Sequence, residues 1–219
     1  DVSNFYDKHT VDFLKVYGDV IQAFRTTDVH DLLDYELKAM EMEDGMRVLD
    51  AGCGICAPAI YLAEQRDVEI DAISISQDQV DRAKKAVESR NLQDRVRVIR
   101  GDYHNLEDYL ETDTYDLIYF LESFGHGVDH KRILDQCWAV LKPGGSIYIK
   151  DLFLKEAALS SMQNEILREA QNINEAYKYN IPDLYEILRM ARKKGYILAR
   201  VKTIDIPLEK FENLTISND

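Results

Sequence analysis

The segment spanning residues 46–57 constrains the possible folds of this chain most strongly. It reads as a short apolar strand, a turn with glycine at 52 and 54, and a helix from about residue 57. Because Gly52 and Gly54 lack a Cβ, the turn can take backbone angles closed to other residues, and a ligand can lie against the main chain. The amides that open the following helix would face that ligand. The segment therefore predicts a cradle for a nucleotide-type cofactor.

A carboxylate comes directly before this turn. Asp50 lies two residues before Gly52, at the carboxyl end of the predicted strand. It would repel a pyrophosphate and attract a cation. Asp50 therefore favours a cofactor that places a positive charge at this turn over one that places a pyrophosphate there.

Apolar strand-like runs alternate with amphipathic helical stretches between residues 46 and 152. This pattern predicts an α/β fold: a doubly wound, Rossmann-like, mostly parallel sheet with helices on both faces and a helical N-terminal cap. Lys142-Pro143-Gly144-Gly145 is expected to end the fourth helix, because proline cannot continue it. The predicted strands are at about 46–51, 68–75, 95–100, 115–121 and 145–152, and the predicted helices at about 57–66, 77–90, 104–111 and 129–141.

A chain of 219 residues can bury one sizeable core, so we expect a single domain, 1–219. A further helix is predicted at about 183–194 and a strand at about 197–204. Within the domain we expect a helical N-terminal cap at 1–42, a cofactor-binding core at 43–152, a helical cap insertion at 153–182 and the C-terminal part of the sheet at 183–219.

Composition narrows the classes of partner. The formal net charge of −13 argues against nucleic acid, whose binders usually concentrate Lys and Arg on one surface. No apolar run approaches the roughly 20 residues that span a bilayer, so we expect no membrane partner and a cytoplasmic protein. Three cysteines give no disulfide framework, and Cys53-x-x-Cys56 is best explained as small residues in a tight turn. The sequence leaves the oligomeric state open, as well as whether the ends are trimmed.

The glycine turn also satisfies the loose dinucleotide-binding fingerprint. Gly52-x-Gly54-x-x-Ala57 has the required spacing, and Asp71 lies about where a ribose-binding acid is sought, roughly 20 residues on. Two observations count against a nicotinamide cofactor: Asp50 precedes the glycines, and Asp71 falls inside the second strand instead of at its end. Ser74 occupies that end.

Taken together, three segments resemble class I S-adenosylmethionine-dependent methyltransferases. Residues 48–54, with Asp50, Gly52, Cys53 and Gly54, look like the family's first motif, which holds the methionine part of the cofactor. Asp102-Tyr103 is similar to the adenine-contacting motif, and 141–145 to the late turn. The resemblance covers about residues 46–152 and implies S-adenosyl-L-methionine as cofactor.

A narrower resemblance comes from two further segments. Ile73-Ser74-Ile75-Ser76-x-x-Gln79 lacks the acid that most of the family has at the position of Ser74, and looks like the branch of sterol, tocopherol and natural-product methyltransferases. The resemblance implies cofactor contacts from Ser74, Ser76 and Gln79. The segment 121–126 and Tyr6-Asp7 are similar to the same branch, with Leu121 expected in the cofactor site.

Methyl transfer from a sulfonium chiefly requires in-line positioning of the reacting atoms. His126 is the candidate general base, since its ordinary pKa is near neutrality. Glu122 is expected to orient His126, to bind the substrate or to stabilise a cation. His104 is expected at the surface. No ligand cluster for a metal is evident, so no metal is expected.

The predicted function is methyl transfer to a small-molecule carbon, oxygen or nitrogen acceptor, with a lipid-like or secondary metabolite favoured. The alternatives are a nicotinamide-dependent oxidoreductase and a non-catalytic, cofactor-binding member of the fold.

Overall fold

A computed structural model of the chain describes residues 2–154, 156, 159–204 and 206–208. Within these residues, seven α-helices surround a five-stranded parallel sheet of order β3-β2-β1-β4-β5. The strands are β1 Arg47–Ala51, β2 Glu69–Ser74, β3 Val96–Arg100, β4 Tyr115–Leu121 and β5 Leu141–Lys150. The helices are α1 Val2–Tyr17, α2 Val29–Ala39, α3 Ala57–Gln65, α4 Gln77–Ser89, α5 His130–Val140, α6 Ser160–Tyr177 and α7 Leu184–Lys194. The predicted fold class is confirmed.

Both faces of the sheet are covered because successive strand residues point to opposite sides. Val48 belongs to a core cluster with residues of α2, α3 and α4, whereas the next residue, Leu49, belongs to a second cluster with residues of α5 and α7. Strand order reverses between β1 and β4, which pair directly although β2 and β3 lie between them in sequence. A ligand crevice is expected at such a reversal, beyond the carboxyl ends of the strands.

Side-chain caps fix several helix starts at the predicted positions. Ser76 accepts a hydrogen bond from the Gln79 amide at the start of α4, and Asp183 does the same for Glu186 at the start of α7. Gly195, with φ of 122°, ends α7. These helices therefore begin and end close to where the sequence predicts.

Three predicted elements differ. The stretch expected as a helix at 104–111 is a 3-10 helix, Tyr103–Asp108, kinked at Asn105. Leu141 already pairs with Tyr115, and the strand pairing resumes at Ser146 with Leu117, so residues 142–145 form an irregularity within β5 instead of a turn before it. The strand expected at 197–204 is wrong: these residues pair with none of the described strands, and Ile197 is 92% exposed. An apolar run forms a strand only where a partner strand meets its backbone groups. Residues 209–219 lie outside the described residues.

Both segments expected as caps contain helices. α1 and α2 precede β1, and α1 packs against α4. In the second segment, Ala170 is the one buried residue of α6, so this helix packs weakly against the rest of the domain. Leu154 and Asp183 form a short parallel bridge that joins the two ends of this second segment.

Candidate active site

A cavity of about 720 Å³ opens at the carboxyl ends of the strands, where the order reverses. The structure brings together the predicted site residues around it, with the exception of Ser76. Those that line it are Asp50, Gly52, Cys53, Gly54, Ser74, Gln79, Asp102, Tyr103, Leu121, Glu122 and His126.

The glycine turn leaves no room for a side chain at one position. Gly52 has φ of +102°, and a Cβ there would lie 2.4 Å from Cβ of Ser123. The amides of Gly52 and Cys53 both donate to the carbonyl of Ile73 at 3.0 Å, which ties the turn to β2. Gly54 also has positive φ, +54°, with open space where its Cβ would be. A ligand can therefore lie directly against this main chain.

Asp50 is a buried carboxylate, 3% exposed, at the end of β1. Among the described residues, neither its Oδ2 atom nor the neighbouring Tyr119 hydroxyl has a hydrogen-bond partner. Burial raises the pKa of Asp50 to about 7; the neighbouring Tyr119 hydroxyl opposes this rise, and the charge of Glu36 adds to it. An unsatisfied buried carboxylate oxygen at the cavity wall is suited to a cationic or hydrogen-donating group of a ligand.

Beyond β2, the polar side chains divide into two sets. Ser74 donates to Oε1 of Gln79 at 2.8 Å, and both residues line the cavity. Ser76 is placed differently from the expectation: its hydroxyl caps α4 and donates to Asp7 at 2.5 Å, outside the cavity lining. Its position as the first turn residue before the helix explains this, since a serine there satisfies the free amides of the helix start. Ser76 thus holds α1 to α4.

The motif after β3 forms a second wall. Asp102 accepts from both the amide and Nδ1 of His104, at 2.9 and 2.6 Å. These hydrogen bonds lower the pKa of Asp102, although its burial acts in the opposite direction. Tyr103 donates its hydroxyl hydrogen to the Ser123 carbonyl at 2.9 Å. The expectation that His104 is a surface residue is wrong: it is part-buried, lines the cavity and accepts the Val128 amide on Nε2.

His126 lies in a 3-10 turn after β4 and is buried. Its Nδ1 lies 3.2 Å from the Lys178 carbonyl and its Nε2 lies 2.7 Å from the Tyr6 hydroxyl. Because a carbonyl only accepts, Nδ1 carries the hydrogen and Nε2 is the acceptor. Burial lowers the pKa of His126 to about 4, so the ring is neutral at pH 7. A neutral imidazole with no hydrogen on Nε2 can take up a proton there, although the lowered pKa makes it a weaker base than an exposed histidine.

Tyr179 closes the cavity on the other side of His126. The two rings meet edge to face, with centroids 4.3 Å apart, and the Tyr179 hydroxyl donates to the buried carboxylate of Asp151. A Cβ on Gly125 would overlap the Tyr179 ring at 2.0 Å, so this glycine allows the ring to approach. Tyr6, His126 and Tyr179 together form an aromatic wall.

Glu122 does not contact His126, contrary to one of its expected roles. Its carboxylate accepts from the amides of Ala23 and Phe24 at 2.6 and 3.1 Å, and from Nζ of Lys150 at 2.5 Å. Its φ of 54° places it in the left-handed region that few non-glycine residues adopt. Glu122 is therefore engaged with the N-terminal segment and with β5.

Several lining residues were missed in the sequence. Lys178 and Asn174 come from the second cap segment, and Ile21 and Gln22 from the first. These residues carry no motif, and their distance along the chain from the strand ends hides their role. One local signal could have found Gln22: it is a polar residue that directly follows the apolar Ile21 in the N-terminal cap.

Asp71 is unavailable to a nucleotide. Inside β2, it accepts from Arg47 and Arg97 at 2.7 Å each, and from the Tyr115 hydroxyl. Its side chain is 1% exposed and it does not line the cavity. The oxidoreductase alternative therefore lacks its ribose-binding acid. Among the residues that the structure describes, no group of three metal-ligating side chains is present, and no helix is long and apolar enough to cross a bilayer.

The parallel sheet, its reversal and a glycine turn preceded by an acid with an unsatisfied oxygen are together typical of a fold that binds a nucleotide-type cofactor. Residues 48–145 match the methyltransferase domain family. The chain also matches the 27-O-demethylrifamycin SV methyltransferase of Amycolatopsis mediterranei (36% identity) and methyltransferase GfsG of Streptomyces halstedii (32% identity). These matches cover 52% and 53% of this chain and 42% and 41% of the two relatives, so the chain spans less than half their length.

Solved structures agree on the fold. The [4+2]-cyclase SpnF superposes with a TM-score of 0.73 over 89% of this chain and 70% of its own, at 23% identity. Phosphoethanolamine N-methyltransferase 2 of Haemonchus contortus, with S-adenosylhomocysteine bound, gives 0.74 over 90% of this chain and 45% of its own, at 20% identity.

Residues 48–145 are thus similar to methyltransferase domains, and one solved neighbour, phosphoethanolamine N-methyltransferase 2 of Haemonchus contortus, was crystallised with S-adenosylmethionine. The site fits that molecule on its own geometry. The glycine turn admits close approach, and Asp50 offers an unsatisfied oxygen to a cationic group. Asp102 has one carboxylate oxygen that no described residue occupies, since both bonds from His104 reach Oδ1.

Proposed function

We propose that this chain transfers the methyl group of S-adenosylmethionine to a small-molecule acceptor. One observation carries the proposal: the unsatisfied Asp50 carboxylate and the neutral His126 face the same cavity, at the strand ends where this fold binds its cofactor. The Asp50 carboxylate is suited to bind a cationic group, and the neutral His126 is suited to accept a proton.

The cofactor residues are assigned by their place around the cavity. Asp50 would bind the ammonium of the methionine part, with Gly52, Cys53 and Gly54 beneath it. The amide nitrogen of Gln79 remains for the ribose, because its oxygen accepts from Ser74. Asp102 would accept from the adenine amine with its second oxygen, while Tyr103 and Leu121 flank the ring.

The bound cofactor supplies a methyl group on a positively charged sulfur. The chain itself must orient the acceptor and, for a hydroxyl acceptor, remove its proton. The Tyr6 hydroxyl occupies the path to Nε2 of His126, so a proton lost by the acceptor would reach Nε2 through the Tyr6 oxygen. The Lys178 carbonyl stabilises the charged ring by accepting from Nδ1. Glu122 acts as a positioning residue in this scheme, through the cap.

The acceptor is proposed to be a lipid-like or secondary metabolite. Tyr6, His126 and Tyr179 give its end of the cavity an aromatic wall. Two relatives support this class by name: the rifamycin methyltransferase, and a sterol 24-C-methyltransferase of Aspergillus fumigatus that is 26% identical over 56% of this chain.

Two measurements test the function. Calorimetry with S-adenosylhomocysteine should give a dissociation constant in the micromolar range, about −8 kcal/mol, while NADH should not bind. Incubation with radiolabelled S-adenosylmethionine and an extract of hydrophobic metabolites should then label a product. Binding of NADH without S-adenosylhomocysteine would favour the oxidoreductase.

A second function has a specific observation behind it, since one structural neighbour is a [4+2]-cyclase. A protein of this fold that binds the cofactor without transferring its methyl group would bind S-adenosylhomocysteine in the calorimeter and label nothing. The two measurements together therefore separate the candidates.

A further inference from the structure

Residues 20–25, the cap segment, lie between α1 and α2 in the chain, and Ile21 and Gln22 line the cavity. Gln22 is 2% exposed, although it belongs to no helix or strand. The segment satisfies some of its backbone groups itself, since the Gln22 amide and Arg25 Nη1 both donate to the Val20 carbonyl. Its other backbone groups depend on side chains from elsewhere.

Those side chains come from the ends of β4 and β5. Glu122 accepts from the amides of Ala23 and Phe24 at 2.6 and 3.1 Å. Lys150 donates to the Phe24 carbonyl at 2.9 Å, to Oε1 of Gln22 and to Glu122 at 2.5 Å. The ion pair of Glu122 with Lys150 thus accepts from two amides of the cap segment and donates to one of its carbonyls.

Lys150 is unusual for a lysine in being buried, with its side chain 4% exposed. Two carboxylates lie beside it: Glu122, whose side chain is 11% exposed, and the fully buried Glu36 of α2 at 3.5 Å. Gln22 also donates to Glu36 at 3.2 Å, so its amide is held at both ends. Removal of the single ammonium would leave these two carboxylates without their cation, which is strongly unfavourable.

We propose that Lys150 is a positioning residue for the cofactor site: paired with Glu122, it fastens the cap segment onto the strand ends and holds Gln22 at the cavity wall. The inference rests on the proposed function in one respect, that the cavity takes S-adenosylmethionine. When the ion pair is intact, the cap segment keeps the cavity wall in place. When it is broken, a smaller fraction of the protein molecules has a cavity that can bind S-adenosylmethionine.

The experiment measures amide exchange and ligand affinity in Lys150→Met. Hydrogen exchange of the Ala23 and Phe24 amides, without ligand, should become at least about tenfold faster. The dissociation constant for S-adenosylhomocysteine should rise about tenfold, because apparent affinity falls with the competent fraction. Lys142→Met is the matched control, since Lys142 lies on the same strand but pairs with Asp116 at the surface; both quantities should stay at wild-type values.

The double variant Lys150→Met/Glu122→Met separates fastening from charge balance. It removes one of the two carboxylates left without a cation, while Glu36 remains, so its unfolding midpoint should recover in part relative to Lys150→Met, while fast exchange and weak affinity remain. It also carries the test if Lys150→Met does not fold. Unchanged exchange at Ala23 and Phe24 in the foldable variant, or full recovery of exchange and affinity in the double variant, would overturn the proposal. If wild type itself fails to bind S-adenosylhomocysteine, the proposed function fails, and the exchange rates still decide on the fastening.

Discussion

The Tyr6 hydroxyl lies 2.7 Å from Nε2 of His126, across 120 residues of sequence. This part-buried contact joins α1 to the turn after β4 at the wall of the cavity. Tyr6 therefore does two things at once: it closes the cap over the cavity and it occupies the only basic nitrogen of the ring. Burial raises the pKa of the Tyr6 hydroxyl, so it remains a donor at neutral pH.

We expect His126→Ala to reduce turnover by about 100-fold, the usual contribution of a general base, with S-adenosylhomocysteine affinity nearly unchanged. Tyr6→Phe should reduce turnover less, since Nε2 stays in place. Turnover is measured with labelled cofactor on the acceptor found in the extract, and affinity by calorimetry. His30→Ala, which alters an exposed histidine of α2, serves as control. Unchanged turnover in His126→Ala would remove this residue from the mechanism.

The pH dependence of turnover gives a second test of His126. Burial lowers its pKa to about 4, so the ring stays neutral down to mildly acidic pH. At saturating cofactor, we expect turnover to change little between about pH 7.5 and pH 5.5, and to fall only nearer pH 4. The folded-state pKa lies below that of the unfolded chain, so this residue costs stability as pH falls from about 6.5 to about 4. A fall in turnover centred near pH 6.5 would contradict the assigned environment.

The raised pKa of Asp50 predicts that the affinity for the cofactor depends on pH. Its pKa is raised to about 7 by burial and by Glu36. A cationic group binds its ionised form, so affinity for S-adenosylhomocysteine should increase as pH rises from about 6 to about 8. In the unliganded protein, the same shift costs stability as pH rises from about 4 to 7, because the folded state keeps the proton longer than the unfolded chain. Calorimetry across this range on wild type and Asp50→Asn checks it: the variant should bind more weakly, with no slope from this group.

The strand ends could be predicted from the sequence because they depend on local pattern. Asp50, Gly52 and Asp102 follow apolar runs directly, and parallel strands bring such positions to one edge. To predict that these residues lie around one cavity, it was therefore enough to know the order of the strands and helices. Their roles toward the cofactor stay proposals.

The contacts of Glu122, Ser76 and His104 could not be predicted, because each depends on a partner chosen in three dimensions. Glu122 contacts Ala23 across 99 residues, and Ser76 contacts Asp7 across 69. A motif shows that a polar residue stands at a strand end, but not which buried cation or free amide it will meet. The exposed stretch at 197–204 failed for the same reason: β-propensity does not provide a partner strand.

Asp71→Asn tests whether the acid inside β2 is structural. We expect a loss of about 2–3 kcal/mol in the free energy of unfolding, because a buried charge network with Arg47 and Arg97 is broken while both arginines keep part of their solvent. Affinity for S-adenosylhomocysteine should stay unchanged. Glu69→Gln removes an exposed partner of the same Arg47 and should cost less than about 1 kcal/mol. Urea unfolding measures both, and a variant of normal stability would show the network to be dispensable.

Gly52 and Gly54 should respond differently to the same added methyl group. In Gly52→Ala, strain at φ of +102° combines with a Cβ placed 2.4 Å from that of Ser123, and we expect a loss of about 3 kcal/mol together with loss of ligand binding.

In Gly54→Ala only the strain at φ of +54° applies, so the cost should be about 1 kcal/mol. The double variant Gly52→Ala/Ser123→Gly removes the overlap but keeps the strain, and should regain part of the stability. Equal losses in Gly52→Ala and Gly54→Ala, measured by urea unfolding, would mean that backbone angle alone limits this turn and that Ser123 moves aside without cost.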